Sequence, residues 1–280
     1  MNICRKATAA LFALLLAVVL MSFACAASET NGTPIKLYLS GNEIEGAVLY
    51  NGTAYAPYRT LVSSIEPTVK YAWDNAARAS VATGDGITIN AYAGEHYVEA
   101  NGRILFSELA KNLLLDDVLY VPIRSIATAY SLTCTWHGIS RSVRLDGVPA
   151  PLESGDTFYD SDVLYWLSHI ISAESRGEPL VGQIAVGNVI MNRTADGSFP
   201  DTVYEVIFDR KFGTQFSPAA SGSVYRDPSE SAIRAAKIAL EGVSVVDNAL
   251  YFCARRVSSG SWMDRNRQYI ETIGNHVFYY

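Results

Sequence analysis

Apolar residues in the second half of this chain recur at helical spacing. Between Ser161 and Ser175 they fall at Val163, Leu167, Ile170 and Ile171, with Asp160 or Ser161 placed to cap the first turn. Glu174 lies eleven, seven, four and three positions after those residues, so the same period puts a carboxylate on the apolar face. A second helix is expected from about Pro179 to Arg193. It is apolar nearly all round (Val181, Ile184, Val186, Val189, Ile190, Met191), which marks a central buried helix, and Gly182 and Gly187 would admit a close neighbour. Its polar exceptions are Gln183, Asn188 and Asn192. A third helix follows Phe199-Pro-Asp-Thr202, capped by Asp201 or Thr202, and an amphipathic helix runs from Asp227-Pro-Ser-Glu230 to Leu240, where Gly242 stops it. Two strand-like pieces, Ala249–Cys253 and His276–Tyr280, flank a Trp262–Arg267 segment and complete a mainly α half.

The pattern over residues 35–147 is different, with short alternations broken by turns. Asn51-Gly52 and Asn101-Gly102 are strong type I′ hairpin signals. The segment also repeats. Tyr55-Ala-Pro-Tyr-Arg-Thr-Leu61 is echoed by Tyr120-Val-Pro-Ile-Arg-Ser-Ile126, and Trp73 and Arg78 by Trp136 and Arg141. Each unit predicts a hairpin, a short helix opened by the proline, and a further strand pair. Core packing is the expected role of Trp73 and Trp136, ahead of stacking on a glycan, and Arg59 and Arg124 are expected to be structural. Val148–Asp156 contains the Pro, Gly and Ser of a connection, so residues 148–158 are expected to link a module over 35–147 to a domain over 159–280.

The first residues carry Arg5 and Lys6, an apolar run from Ala7 to about Ala24 and a small-residue exit at Ala24–Ala27. That order is a secretory signal over residues 1–27 and predicts export; an uncleaved anchor is the alternative. The net charge is −6, which argues against a nucleic-acid binder and is neutral towards glycans, whose recognition rests on stacking and hydrogen bonds. Beyond the signal only Cys134 and Cys253 remain, too few for a disulfide framework or a metal site, and both are expected to be buried small side chains.

The repeated Y-x-P-x-R with its following Trp resembles the domain family named after the N-terminal domain of copper amine oxidases. That resemblance implies a non-catalytic, surface- or wall-associated module. It implies no copper, since His96 and His137 each stand alone in sequence.

In the second half, Ala173-Glu-Ser-Arg-Gly-Glu-Pro179, Gly182-Gln183, Asn192-Arg193, Phe199-Pro200, Ala249-Leu-Tyr-Phe252 and Gly274-Asn-His-Val-Phe278 occur in order. Together they resemble the SleB-type cell wall hydrolases, the spore cortex-lytic enzymes of spore-forming bacteria. The resemblance implies an α+β chain, a β-rich repeat module followed by a mainly α, lysozyme-like catalytic domain that cleaves peptidoglycan glycan strands. It implies that Glu174 is the catalytic glutamate. The chain departs from the family at Trp262-Met-Asp264, where a Trp-x-Trp is common, and in having the repeat module in place of a peptidoglycan-binding domain.

Burial would raise the pKa of Glu174, as a general acid requires, whereas a structural ion pair with Arg176 or Arg193 would hold it ionised. Gln183, Phe216, Tyr251 and Asn275 are the candidate substrate contacts, Phe216 within an irregular aromatic loop over 212–218. Asp201, Asp209 and Asp264 are candidates for a second carboxylate, and Glu178 for a cap. One acid alone suits lytic transglycosylation. A zinc amidase is the enzymatic alternative, with only His169 and His276 as histidine ligands, and a non-catalytic wall-binding or spore-coat protein is the other. No cofactor or metal is expected, and the expected partner is the peptidoglycan strand.

Overall fold

The computed structural model describes residues 32–211 and 213–280. The signal expected over residues 1–27 lies outside them. Strands β1 (Thr33–Pro34), β2 (Lys36–Leu39) and β3 (Asn42–Ile44) lead into a first unit of β4 (Val48–Tyr50), β5 (Thr53–Pro57), α1 (Tyr58–Ile65), β6 (Lys70–Asp74) and β7 (Ala79–Thr83). β8 (Thr88–Tyr92), β9 (Tyr97–Ala100) and β10 (Arg103–Phe106) lead on to the second unit, β11 (Leu113–Leu115), β12 (Val118–Pro122), α2 (Ile123–Ala129), β13 (Thr133–His137) and β14 (Ser142–Asp146). The expected hairpin, helix and strand pair is therefore built twice. Asn51 and Gly52 both have positive φ (46° and 79°), as a type I′ turn demands, and the equivalent turn in the second unit is Asp116-Asp117 (48° and 63°). Pro57 and Pro122 stand at the N-caps of α1 and α2, one position earlier than the first turn.

The two units meet through their motif strands. β5 and β12 pair antiparallel, with Tyr55 opposite Pro122 and Tyr120 opposite Pro57, in a sheet of order β1-β4-β5-β12-β11. Two further sheets, β10-β9-β8-β7-β6 and β13-β14-β2-β3, enclose a core that includes Leu37, Tyr58, Leu61, Ile89, Val121, Ile126 and Leu145. Trp73 and Trp136 do not join it. Each is 41% exposed, because β6 and β13 are edge strands.

Residues 148–158 lie against the module. Ala150 N–H donates to Tyr130 O, Leu152 N–H donates to Ala129 O, and Leu152 packs on the module core. The segment ends in a short helix α3 (Gly155–Phe158) capped by Ser154. Then come α4 (Ser161–Ser175), α5 (Leu180–Ala195), α6 (Val203–Phe208), α7 (Ser217–Ser221) and α8 (Glu230–Leu240). Asp160 caps α4 through the N–H groups of Asp162 and Val163; Thr202 and Ser229 cap α6 and α8. Helices α4, α5 and α8 pack on one another around Leu167, Ile170, Ile171, Ile184, Val189, Ala235 and Ile238. A Cβ on Gly187 would come within 3.0 Å of Ile171 and 3.3 Å of Ala239, so glycine sets the closeness of these three helices. Strand β15 (Tyr251–Ala254), helix α9 (Trp262–Asn266) and strands β16 (Tyr269–Ile273) and β17 (His276–Tyr279) close the fold, with sheet order β15-β17-β16. The sequence pattern anticipated β15 and β17 but not β16 between them. The result is a β-rich module followed by a helical domain, a mixed α+β chain.

The two halves share a packed boundary. Tyr97 and Ile104 of the module belong to the helical core. Arg103 forms a two-pronged ion pair with Glu241 (2.9 and 2.6 Å) while its guanidinium lies 3.3 Å from the Phe158 ring centroid. Tyr159 Oη donates to the same carboxylate at 2.6 Å, and Lys237 Nζ donates to Gly102 O.

Candidate active site

The last turn of α4 carries Glu174 to the wall of a cleft of about 1160 Å³ between the helices and β15. Glu174 is partly buried. Among the described residues no hydrogen bond or ion pair reaches its carboxyl, and burial pushes it up to about 7. The two arginines that could have paired with it are engaged elsewhere. Arg176 donates to Ser172 Oγ and Asp227 O. Arg193 Nε donates to Leu250 O at 2.7 Å, and its guanidinium lies 4.8 Å from the Phe199 ring, 5.2 Å from Phe216 and 5.5 Å from Tyr251. The ion-pair account of Glu174 therefore fails on geometry.

Phe216 and Tyr251 line the same cleft, with Phe199, Phe252 and Trp262. Gln183 does not. It is 2% exposed, donates to Glu178 O and accepts from Ser231 Oγ, so its amide is consumed in joining the start of α5 to α8. Asn275 is also outside the lining. Its backbone N–H and its amide both donate to Glu178, which clasps the β16–β17 turn to the α4–α5 connection. Partial burial pushes the Glu178 carboxyl up, but the Asn275 hydrogen bonds and nearby His276 outweigh it and hold the group below the ordinary carboxylate range. Glu178 is thus a clasp rather than a helix cap, the N-cap of α5 being Pro179.

Asp209 and Asp196 line the cleft, whereas Asp201 and Asp264 do not, and Asp264 accepts from Gly260 N–H within the α9 turn. Cys134 and Cys253 are free thiols, partly rather than fully buried. Periodicity passed over three other cleft residues. The buried side-chain nitrogens that lack a partner among the described residues are Arg193 Nη1, Arg267 Nε and His276 Nδ1, and all three residues face this cleft. Arg267 lies 4.2 Å from the Tyr251 ring and 5.1 Å from the Trp262 ring. His276 is buried, and desolvation lowers its pKa, which keeps the imidazole neutral near pH 7. The available signal was the arginine at the end of an otherwise apolar helix: buried cations are costly without a partner. A carboxyl able to donate a proton thus shares an aromatic-lined cleft with two arginines and a histidine, each of which has one nitrogen buried without a partner among the described residues.

Residues 177–279 match the Cell Wall Hydrolase family, and residues 32–145 match the Copper amine oxidase N-terminal domain. The helical half thus carries the segment that matches the cell wall hydrolases. It is similar to the spore cortex-lytic enzyme of Bacillus cereus, 37% identical over 120 residues that make up 43% of this chain and 45% of that protein. The spore cortex-lytic enzyme of Bacillus subtilis is 32% identical over 139 residues, 50% of this chain and 43% of that protein. Among solved structures, the catalytic domain of a germination-specific lytic transglycosylase, SleB from Bacillus anthracis, is 35% identical over 46% of this chain and 100% of that domain, with a TM-score of 0.40. The chain spans less than half the length of the curated relatives it matches. Glu174 stands just ahead of the segment that the hydrolase family matches.

Proposed function

We propose that this chain cleaves the glycan strands of peptidoglycan, in spore cortex above all, by lytic transglycosylation with Glu174 as general acid. The observation that carries this reading is the unpaired Glu174 carboxyl, pushed up to about 7 in an aromatic cleft. Similarity to the spore cortex-lytic enzymes supports the substrate. Glu174 protonates the glycosidic oxygen, and the bond to the muramoyl anomeric carbon breaks. The resulting carboxylate takes the proton of the muramoyl 6-hydroxyl as that oxygen attacks the same carbon. The product is a 1,6-anhydro sugar, the leaving sugar carries the first proton, and Glu174 ends protonated.

Tyr251 is proposed to face the sugar rings, whereas the buried Phe216, with Gln183 and Asn275, supports the cleft walls. Asp196 and Asp209 support a second reading, hydrolysis with a carboxylate activating water, which would give reducing ends instead of anhydro ends. A zinc amidase needs three protein ligands, and no such group of His, Cys, Asp or Glu is assembled among the described residues. His169 is occupied on Tyr165. Residues 1–27 are proposed as the export signal, residues 35–147 as a wall-associating module and 148–158 as the covalent boundary to the domain over 159–280.

The test is digestion of purified cortex peptidoglycan and mass spectrometry of the fragments. Wild-type protein should release anhydro-muramoyl products, and Glu174→Gln should reduce the rate about 100- to 10,000-fold. Full activity in folded Glu174→Gln protein would overturn the assignment, as would release of free stem peptides.

A further inference from the structure

The repeat module carries two cavities that are the same cavity built twice. One is lined by Pro57, Arg59 and Trp73 of the first unit and by Leu114 and Leu119 of the second unit's hairpin. The other is lined by Pro122, Arg124 and Trp136 of the second unit and by Leu49 and Ala54 of the first. Most lining residues of the one have their counterparts at the matching repeat positions of the other; Thr60, Val118 and Cys134 are the exceptions. Trp73 sits across its strand pair from Ser80 and Trp136 from Val143, which also line their respective cavities. Because β5 and β12 pair antiparallel, each cavity takes its Trp and Arg from one unit and its floor from the other.

Neither tryptophan is needed by the core, both being 41% exposed on edge strands. Both arginines are exposed, and among the described residues neither forms an ion pair with a carboxylate. An open indole face attracts the polarised C–H bonds of a pyranose ring, and a guanidinium beside it donates two hydrogen bonds to an acetamido carbonyl or a carboxylate. An apolar floor of Leu and Pro accepts the acetamido methyl. We propose that the module is a two-site binder of N-acetylated amino-sugar strands, with Trp73–Arg59 and Trp136–Arg124 as equivalent sites. The inference rests on the reading above for the identity of the strand, since the hydrolase domain packed against the module would then act on what the module holds. The Trp73 cavity is the roomier, about 620 Å³ against 140 Å³, and can enclose more of a sugar ring.

Binding is measured with full-length Glu174→Gln protein, by sedimentation with peptidoglycan sacculi and by titration with a tetramer of N-acetylglucosamine. Trp73→Ala should weaken sacculus binding by roughly tenfold. Trp136→Ala should weaken it less, and the pair of changes more than 100-fold, because two linked sites bind with avidity. Arg59→Gln with Arg124→Gln should show the same ranking, which guards against a Trp variant that is merely misfolded. On soluble strand fragments, the Trp variants in the active background should cut at the wild-type rate. Wild-type protein that binds sacculi but cuts nothing would sink the proposed function and leave this inference standing. Unchanged binding in the double Trp variant, failure of the tetramer to bind, or displacement by free stem peptide would overturn it.

Discussion

At the scale of single residues, the proposed chemistry turns on one carboxyl that folding holds back from ionising. Unfolding returns Glu174 to its ordinary pKa of 4.5 from about 7, so the unfolded chain gives up this proton more readily. The folded state consequently loses stability as pH rises from about 4.5, and the loss is complete above about 7. Glu174→Gln removes that penalty. Its stability advantage over wild type should be near zero at pH 4, grow through pH 4.5–7 and level off at about 3 kcal/mol. Urea denaturation at a series of pH values checks this; a constant difference across the range would mean that the carboxyl is not held protonated. The same ionisation should bend kcat/KM downward above pH 7 in the wild type alone. Arg193 belongs to the same scale. Desolvation lowers its pKa to about 10, so it stays charged although Nη1 is buried without a partner among the described residues.

Helix α5 shows how an element builds the cleft around those residues. One of its faces carries a row of polar groups that grip the segment after α8. Asn188 Nδ2 donates to Val243 O and its Oδ1 accepts from Val245 N–H; Asn192 donates to Ala249 O; Arg193 donates to Leu250 O. That row leads straight into Tyr251, and so sets where β15 presents its aromatic residues. Asn188→Ala leaves a carbonyl and an N–H of the strap without partners and should cost about 2 kcal/mol. Strap amides should exchange faster in hydrogen-exchange experiments while those of α4 stay protected. The existence of α4, α5, α6 and α8 was legible from period, cap and proline, because those signals are local. Glu174 on the apolar face was legible for the same reason. What was not legible depended on contacts distant in sequence. Gln183 carries the same amide whether it meets a sugar or, as here, Glu178 O and Ser231. Asn275 was expected as a substrate contact, but its backbone N–H and its amide donate to Glu178, 97 positions away. Trp73 and Trp136 sit in hydrophobic-looking segments, and only the sheet order shows that their strands are edges.

On the scale of the whole molecule, the division of the chain into two halves is a division of sequence more than of packing. Glu241 receives Arg103 and Tyr159 in a pair only 12% and 10% exposed, and Tyr97 and Ile104 reach into the helical core. Arg103→Ala strands a buried carboxylate and should destabilise the chain by about 3 kcal/mol, with Arg103→Met milder than Arg103→Ala because it restores packing over Phe158. Wild-type chain should unfold in one calorimetric transition, and two well-separated transitions would refute the coupling. The module's own symmetry has a consequence for its ancestry. Antiparallel pairing of β5 with β12 relates the two units as a two-fold axis relates the subunits of a homodimer. A protein made of one unit would own half of each cavity and an unpaired strand edge, and would complete both only by associating with a copy of itself. Joining two such copies in one polypeptide would make that association permanent and free each half to diverge, which is how Ser80 and Val143 can now differ at matching places.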